Sequence, residues 1–210
     1  MESRSGDTVQ HIVNNVVTSF PALRPTPLAR YLGQVLEWNQ TLGLVSRKEP
    51  VAACERLTLE SLELAQLLAV SGPVRVADVG SGAGFPGIIW AAQHEDAQFV
   101  LIERRGRRAA FLERVARTLA LSNVSVITRD LRDAVDLQAL QTSFDIVVTM
   151  AVGSPADIGP DVELLLRAAG RYATTIPATA DVPARVGRAL VLESRSAGKF
   201  GCYAIYRLGI

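Results

Sequence analysis

The sequence predicts a doubly wound, Rossmann-like α/β domain that follows a helical N-terminal extension. After residue 72, short apolar runs alternate with helical segments, a pattern that produces right-handed crossovers and a parallel sheet. A glycine-rich turn directly follows the first of these runs, where doubly wound sheets bind their ligands. Before residue 72, the apolar residues recur only at helical spacing.

The N-terminal extension contains two clear amphipathic segments. Apolar residues recur at near-helical spacing over Leu28–Asn39, and Pro25 upstream suits a helix start. A second amphipathic run covers Pro50–Val70, and Ser71–Pro73 then breaks the chain. The predicted division is therefore 1–72 for the helical region and 73–210 for the core domain.

The core domain shows five apolar runs of strand length, and the end of the sequence predicts an antiparallel hairpin. The hairpin strands would be Ala189–Glu193 and Cys202–Tyr206, with Ser196–Gly198 in the turn. The five runs, of which the last is a candidate only, are Val74–Val79, Gln98–Ile102, Val124–Ile127, Phe144–Thr149 and Arg171–Ile176.

Composition narrows the class of protein. A formal net charge of +1 is low for a dedicated nucleic-acid binder, so any RNA contact must rest on a local basic patch. Two separated cysteines and two histidines do not make a zinc cluster, and we predict no metal site. The sequence has neither a signal-peptide pattern nor an apolar stretch of the ~20 residues that span a membrane. We therefore expect a cytoplasmic protein without a membrane partner.

The glycine-rich turn carries the sharpest functional signal. Gly80, Gly82 and Gly84 form a GxGxG pattern, whereas the dinucleotide fingerprint is GxGxxG. Asp78 lies two positions before the first glycine, and its carboxylate would repel a pyrophosphate but attract a sulfonium or ammonium group. S-adenosylmethionine carries both of these cations and no phosphate. The pattern therefore favours S-adenosylmethionine as cofactor over NAD.

Two further acids follow successive strands. Glu103 comes after the second strand, where a carboxylate can accept both ribose hydroxyls. Asp130 follows the third strand and could accept from an adenine amino group, with the backbone of Thr128 and Arg129 beside the base. The predicted cofactor-binding set is Asp78, Gly80, Ser81, Gly82, Ala83, Gly84, Phe85, Pro86, Glu103, Arg104, Thr128, Arg129 and Asp130.

Several segments between residues 28 and 175 carry a family resemblance. They include Trp38-Asn39, the loop from Asp78 to its Gly-Phe-Pro-Gly87 ending, and Gly106-Arg107-Arg108 followed by Phe111-Leu112. With these segments the sequence resembles the bacterial 16S ribosomal RNA guanine-N7 methyltransferases of the RsmG or GidB family. The resemblance implies a class I methyltransferase core with a seven-stranded, mostly parallel sheet, a helical N-terminal region and S-adenosylmethionine as methyl donor.

Departures from the family pattern fall on the substrate side. Thr149-Met150-Ala151-Val152 stands where the family has Ser-Arg-Ala-Phe, and Ile176 stands near a family lysine. Replacing an arginine by Met150 removes a bidentate donor for phosphate or a guanine edge and makes the pocket more apolar. Our main hypothesis is therefore N-methylation of a small heteroaromatic or amine acceptor.

Two alternatives stay open. One is methylation of 16S ribosomal RNA at guanine N7, as the resemblance implies. The other is a non-catalytic paralogue that binds S-adenosylmethionine without turnover. The sequence does not predict the oligomeric state.

No catalytic residue can be assigned from the sequence. His11 lies in the N-terminal tail and His94 before the second strand, so neither is placed as a base, which favours N-methylation over O-methylation. The candidates for orienting a substrate are Glu60, Thr149, Met150 and Tyr172.

A basic cluster follows the second strand at Arg104, Arg105, Arg107 and Arg108. It could hold RNA phosphates. The commoner interpretation is a solvated helix start whose cations pair with nearby Glu113.

Overall fold

The computed structural model describes residues 2–132 and 138–209. Three helices come first, at α1 (Glu2–Ser19), α2 (Pro25–Leu42) and α3 (Pro50–Leu67). Helix α2 begins at a proline. The first residue of a helix has no acceptor within the helix for its backbone N–H, so proline, which lacks that group, fits there. Gly43, with φ 58°, caps the C-terminal end of the helix. The region predicted as helical thus contains α1, α2 and α3, and His11, which we placed in an N-terminal tail, lies exposed on α1.

In the part of the chain that the structure describes, eight strands form one sheet with the order β3-β2-β1-β4-β5-β8-β7-β6. The first five strands in this order are parallel, and the last three pairings are antiparallel. The family resemblance implied seven strands, and the additional one is the two-residue edge strand β6. The strands are β1 (Arg75–Val79), β2 (Gln98–Ile102), β3 (Val124–Ile127), β4 (Phe144–Thr149), β5 (Leu166–Thr175), β6 (Arg185–Val186), β7 (Leu190–Ala197) and β8 (Cys202–Leu208).

Strand order reverses between β1 and β4. From β1 the chain crosses outward to β2 and β3, and then returns to pair β4 with the other side of β1. The carboxyl ends of β1, β2 and β4 therefore meet at one edge of the sheet, because Asp78 pairs with Leu101 on one side and with Val148 on the other. This reversal point is where doubly wound sheets bind ligands.

Helices cover both faces of the sheet. Connecting helices are α4 (Gly87–Gln93), α5 (Gly106–Thr118) and α6 (Pro155–Leu165). One apolar core joins residues of α1, α2 and α3 to α4, α5 and the sheet, and includes Tyr31, Leu64 and Trp90. A second core lies on the other face beneath α6. The boundary proposed at residue 72 thus separates segments that share one core.

The C-terminal hairpin has the predicted pairing with a later turn. Strand β7 runs to Ala197, so the turn covers residues 198–201 and shares only Gly198 with the predicted Ser196–Gly198. Glu63 of α3 fixes this turn, because its carboxylate accepts hydrogen bonds from the backbone N–H groups of Lys199, Phe200 and Gly201. Across the described ranges, no helix has the length and apolar character needed to cross a membrane.

Candidate functional site

The loop after β1 bends sharply through three glycines with positive φ. The φ values are 71° at Gly80, 53° at Gly82 and 105° at Gly84, a region that side chains with a Cβ rarely adopt. Space is limiting as well, since a Cβ on Gly80 would lie 2.6 Å from Cγ2 of Val152. The glycine pattern therefore meets a backbone requirement and a packing requirement at the reversal point of the sheet.

Asp78 lies under this loop and is only 1% exposed. Its Oδ2 accepts a hydrogen bond of 3.0 Å from the backbone N–H of Gly87, at the start of α4. Its Oδ1 is buried without a protein partner among the described atoms. Burial raises the pKa of Asp78 to about 8, against the lowering effect of the Gly87 and Ser81 hydrogen bonds.

Glu103, directly after β2, ties two segments together. Its Oε2 accepts a hydrogen bond of 2.9 Å from the N–H of Gly82, and its Oε1 one of 2.8 Å from the N–H of Arg105. These bonds fix the carboxylate between the glycine loop and the start of α5. A carboxylate oxygen can accept more than one hydrogen bond, so Glu103 keeps acceptor capacity for a ligand hydroxyl.

A cavity of about 360 Å³ opens at this edge of the sheet. Gly80, Glu103 and Asp130 line it, together with several apolar side chains. Five arginines also line it, namely Arg104, Arg105, Arg108, Arg129 and Arg132. The predicted cofactor residues that the structure brings to this wall are Gly80, Glu103, Arg104, Arg129 and Asp130.

The other predicted cofactor residues are not among the residues that line this cavity. Thr128 accepts a hydrogen bond from the Arg129 side chain through its backbone oxygen. Asp78 is buried and accepts a hydrogen bond at the start of α4, so its direct contact with a ligand cation stays a prediction. The loop residues of this group are Ser81, Gly82, Ala83, Gly84, Phe85 and Pro86.

The cavity suits an adenosyl ligand. Glu103, after β2, would accept hydrogen bonds from the ribose hydroxyls, and Asp130, after β3, would accept one from the adenine amino group. A side chain at Gly80 would collide with Val152 and close the approach to the loop backbone. Glu103, Asp130 and the loop backbone would therefore hold the adenosyl part.

The helical extension covers the glycine loop, a role that sequence reasoning missed. The hydroxyl of Tyr31 in α2 donates a hydrogen bond of 3.0 Å to the backbone oxygen of Ala83, and its ring contacts Phe85 edge-on. The indole N–H of Trp90 in α4 donates to the backbone oxygen of Ser61 in α3. Tyr31 stands out in the sequence only as one apolar-face residue of a helix, so nothing marked it as part of the site.

Thr149 and Tyr172, two of the candidate substrate-orienting residues, are buried in the sheet instead. The hydroxyl of Thr149 donates a hydrogen bond of 2.8 Å to Oγ1 of Thr174 and lies 3.1 Å from the hydroxyl of Tyr172. Tyr172 also stacks on Tyr206. These hydroxyls form a network inside the sheet rather than a wall of the cavity.

Met150 does not face the cavity, contrary to the prediction. Residues alternate sides along a strand, and Met150 follows Ile146 and Val148 toward α3, where the Ser61 hydroxyl lies 3.6 Å from its sulfur. Ala151 and Val152 line the cavity instead. Ile176, the other residue that we expected at the substrate mouth, is buried in the core beneath α6.

Glu60, the remaining candidate, lies on α3 and is engaged locally. Its carboxylate accepts a hydrogen bond of 2.7 Å from Arg56, one helical turn before it. It is not among the residues that line the cavity. The structure therefore gives no support to a substrate-orienting role for Glu60.

The basic cluster at the start of α5 lines the cavity, so its arginines are more than a solvated helix start. Arg104 forms an ion pair of 3.6 Å with Asp130, and Arg108 donates to the backbone oxygen of Gly43 over 2.5 Å. Of the cluster, only Arg107 does not line the cavity. Arg104 and Arg108 therefore bind a cavity carboxylate and a loop carbonyl, where we had expected Glu113 as the partner.

Comparison with known proteins gives one family match. The family model described as "GidB: rRNA small subunit methyltransferase G" matches residues 25–175, which is more than half of the chain. A protein named ribosomal RNA small subunit methyltransferase G from Sorangium cellulosum is 38% identical over 127 residues, or 60% of this chain and 53% of that protein. One of the same name from Janthinobacterium sp. is 36% identical over 151 residues, or 70% of this chain and 66% of that protein.

The chain spans about half the length of the first of these relatives, 53% for the Sorangium protein and 46% for one from Xylella fastidiosa. Among solved structures, an RNA methyltransferase from Salinibacter ruber in complex with S-adenosyl-L-homocysteine superposes with a TM-score of 0.58 at 17% identity, covering 71% of this chain and 90% of that one. A SAM-dependent O-methyltransferase from Thermotoga maritima superposes with a TM-score of 0.54 at 18% identity, covering 86% of this chain and 71% of that one. At these identities the structures show a shared fold.

Proposed function

The chain belongs to the GidB family, rRNA small subunit methyltransferase G, and from this premise we propose that it transfers the methyl group of S-adenosylmethionine to a guanine N7 of small-subunit ribosomal RNA. The observation that carries the proposal is the cavity at the reversal point of the sheet. It combines acceptors for an adenosyl group, Glu103 and Asp130, with five arginine side chains. Guanidinium groups are the usual partners of RNA phosphates and guanine edges.

The residues of this chain would bind and orient rather than transfer protons. When bound, S-adenosylmethionine supplies an electrophilic methyl group on a sulfonium. Guanine N7 is a neutral nitrogen with an available lone pair, so its methylation needs no general base. Among the described residues that line the cavity there is no histidine, in keeping with catalysis by placement of the acceptor.

The small-molecule hypothesis has less support than RNA. It rested on Met150 and Ile176 standing where the family has an arginine and a lysine and making the pocket more apolar, whereas Met150 packs against Ser61 in α3. Arginines at the wall make the cavity polar and cationic. A non-catalytic paralogue remains an outcome that a methyl-transfer assay distinguishes.

The test measures methyl transfer from radiolabelled S-adenosylmethionine to 16S rRNA transcripts, to 30S subunits lacking native methylation, and to a panel of small nitrogen heterocycles. We expect transfer to RNA, with the product located by chain cleavage at N7-methylguanine. Glu103→Gln should lower cofactor affinity about tenfold or more. The amide has one oxygen and one NH₂ group, so its NH₂ would face the backbone N–H of Gly82 or Arg105, and two donors cannot form a hydrogen bond. Glu95→Gln, at an exposed position beyond α4, is the matched control.

Each contrary result has a distinct meaning. Transfer to a heterocycle but not to RNA would overturn the proposed acceptor. Binding of S-adenosylhomocysteine without transfer to any acceptor would indicate the paralogue. No binding of the donor or its product would overturn the cofactor assignment itself.

A further inference from the structure

Two cations of the cavity wall form no ion pair among the described residues. Arg105 and Arg108 line the cavity beside the carboxylates of Glu103, Asp130 and Asp161, but neither has a carboxylate of the described residues within 4.0 Å. S-adenosylmethionine carries a sulfonium, an ammonium and one carboxylate, so it adds a net positive charge. Like charges repel, so the donor does not offset the charges of Arg105 and Arg108.

Two of the carboxylates are already engaged by the protein. Glu103 accepts from two backbone N–H groups, and Asp130 pairs with Arg104 and accepts from the backbone N–H of Arg132. These contacts hold the acids in place for an adenosyl group. Arg105 and Arg108, at the start of α5, form no ion pair within 4.0 Å with a carboxylate of the described residues.

Arg108 is held in position by backbone rather than by an acid. Its Nη2 donates to the backbone oxygen of Gly43, the left-handed residue that ends α2. Its Nη1 lies beside Gly82, since a Cβ built there would be 3.7 Å away. Burial lowers the pKa of Arg108 and neighbouring Arg105 lowers it further, against the raising effect of the Glu103 carboxylate. The guanidinium is thus partly desolvated, fixed between the glycine loop and α2, and repelled by its neighbour.

An anion bound between these side chains would relieve that repulsion. Arginine presents a planar fork of N–H donors that suits phosphate oxygens. An RNA backbone offers successive phosphates, which several converging guanidinium groups can contact together. Because Arg108 also touches the glycine loop, an anion at this place and the cofactor would act on the same backbone segment.

We propose that Arg105 and Arg108 bind a phosphodiester of the RNA acceptor at the cavity mouth, and that this contact tightens cofactor binding. The inference rests on the proposed function in taking RNA as the acceptor. Its new content is the location of a backbone contact beside the glycine loop and the coupling between RNA and cofactor. Linkage requires that the cofactor tighten RNA binding by the same factor.

The experiment measures the Kd of S-adenosylhomocysteine by calorimetry in the presence and absence of a ten-nucleotide uridine oligomer, which offers phosphodiesters but no guanine to methylate. We expect the oligomer to tighten binding about fivefold or more at low salt, with the effect fading as salt rises. Arg105→Gln and Arg108→Gln should each abolish most of this gain. Arg107→Gln is the matched control, because Arg107 lies on the same helical turn, is exposed and does not line the cavity.

Several results would overturn the inference. One is an unchanged Kd with the oligomer when the protein still binds S-adenosylhomocysteine and methylates RNA. Another is an equal loss of coupling in Arg107→Gln, which would assign the effect to general charge. Equal tightening by inorganic phosphate would assign the site to a free anion instead of a backbone. The Arg108→Gln variant loses the hydrogen bond to Gly43 and could unfold for that reason. Arg105 does not make this bond, so Arg105→Gln still tests the inference in that case. Failure of the proposed function would show separately, as absent methyl transfer to RNA.

Discussion

Oδ2 of Asp78 accepts a hydrogen bond from the backbone N–H of Gly87 over 3.0 Å, and this bond joins the end of β1 to the start of α4. The two residues are packed so closely that a Cβ on Gly87 would lie 2.6 Å from the same oxygen. Glycine at position 87 is therefore a condition for this carboxyl group to be buried. Burial in turn raises its pKa to about 8.

The first prediction concerns stability as a function of pH. The folded-state pKa of Asp78, about 8, lies above its ordinary value of 3.8, so the folded protein binds a proton that the unfolded chain releases. The stability contribution of this group is complete below about pH 4 and is lost as pH rises through 8. Asp78→Asn lacks this titration, so it should gain stability relative to wild type by about 1 kcal/mol or more between about pH 5 and pH 8.

Urea denaturation of both proteins at several pH values measures this difference. Asp96→Asn, with an exposed carboxylate in the loop before β2, is the control and should keep a constant offset from wild type. A constant offset for Asp78→Asn as well would contradict the prediction.

The second prediction concerns Gly80. Alanine at this position must adopt φ 71° and place its Cβ 2.6 Å from Val152. Gly72→Ala imposes a similar φ of 67° but meets no atom within 4 Å, so it should cost only about 1–2 kcal/mol of backbone strain. Gly80→Ala should cost about 1–3 kcal/mol more, through overpacking. In the Gly80→Ala background, Val152→Ala should restore part of that excess, which thermal unfolding of the variants would show.

The third prediction separates the cover of the glycine loop from general stability. Tyr31→Phe removes the hydrogen bond to Ala83, and Tyr206→Phe removes a hydrogen bond of 3.2 Å to Pro183 in the C-terminal part of the chain. Each should lose about 1 kcal/mol of folding free energy. Only Tyr31→Phe should also weaken S-adenosylhomocysteine binding, by a few fold in calorimetry, because Ala83 belongs to the glycine loop. Equal affinities of the two variants for S-adenosylhomocysteine would show that Tyr31 does not contribute to cofactor binding.

The fourth prediction concerns the hydroxyl network in the sheet. Since Thr149 donates to Thr174, the Tyr172 hydroxyl is left to donate to Thr149. Thr149→Val removes both of these buried hydrogen bonds and should cost about 1–3 kcal/mol. Thr58→Val removes only a bond to a helix carbonyl, at Cys54, and should cost less. A comparison of urea midpoints decides the matter, and equal losses would show that the network adds nothing.

Much of the fold follows from local pattern. The apolar runs predicted β1 to β4 to within one residue, because buried parallel strands are short, continuous and bounded by turns. The candidate fifth strand was predicted from Arg171, whereas β5 begins five residues earlier, at Leu166. The antiparallel pairing of the two C-terminal strands was confirmed as well. Gly80, Glu103, Arg104, Arg129 and Asp130 meet at the cavity because they follow strands whose carboxyl ends share one edge. Strand register therefore determines which distant sequence positions come together in a site.

What the sequence could not supply is the direction of side chains outside the strands. Met150 continues the alternation of β4 toward α3, and a residue at the junction of strand and loop can face either way until the partner helix is known. The contact of Tyr31 with Ala83 joins residues that are 52 positions apart, which no local pattern reveals. The count of eight strands in the described ranges rests on β6, whose two residues are too few to leave a periodic signal.

The position of β8 has a consequence for biosynthesis. This strand lies between β5 and β7, so β5 has an open hydrogen-bonding edge until synthesis has passed Leu208. An emerging chain would expose this edge beside an already apolar surface, a condition that invites pairing with other chains. Ribosome-bound intermediates that end before β8 should therefore depend on chaperones more than the released protein does.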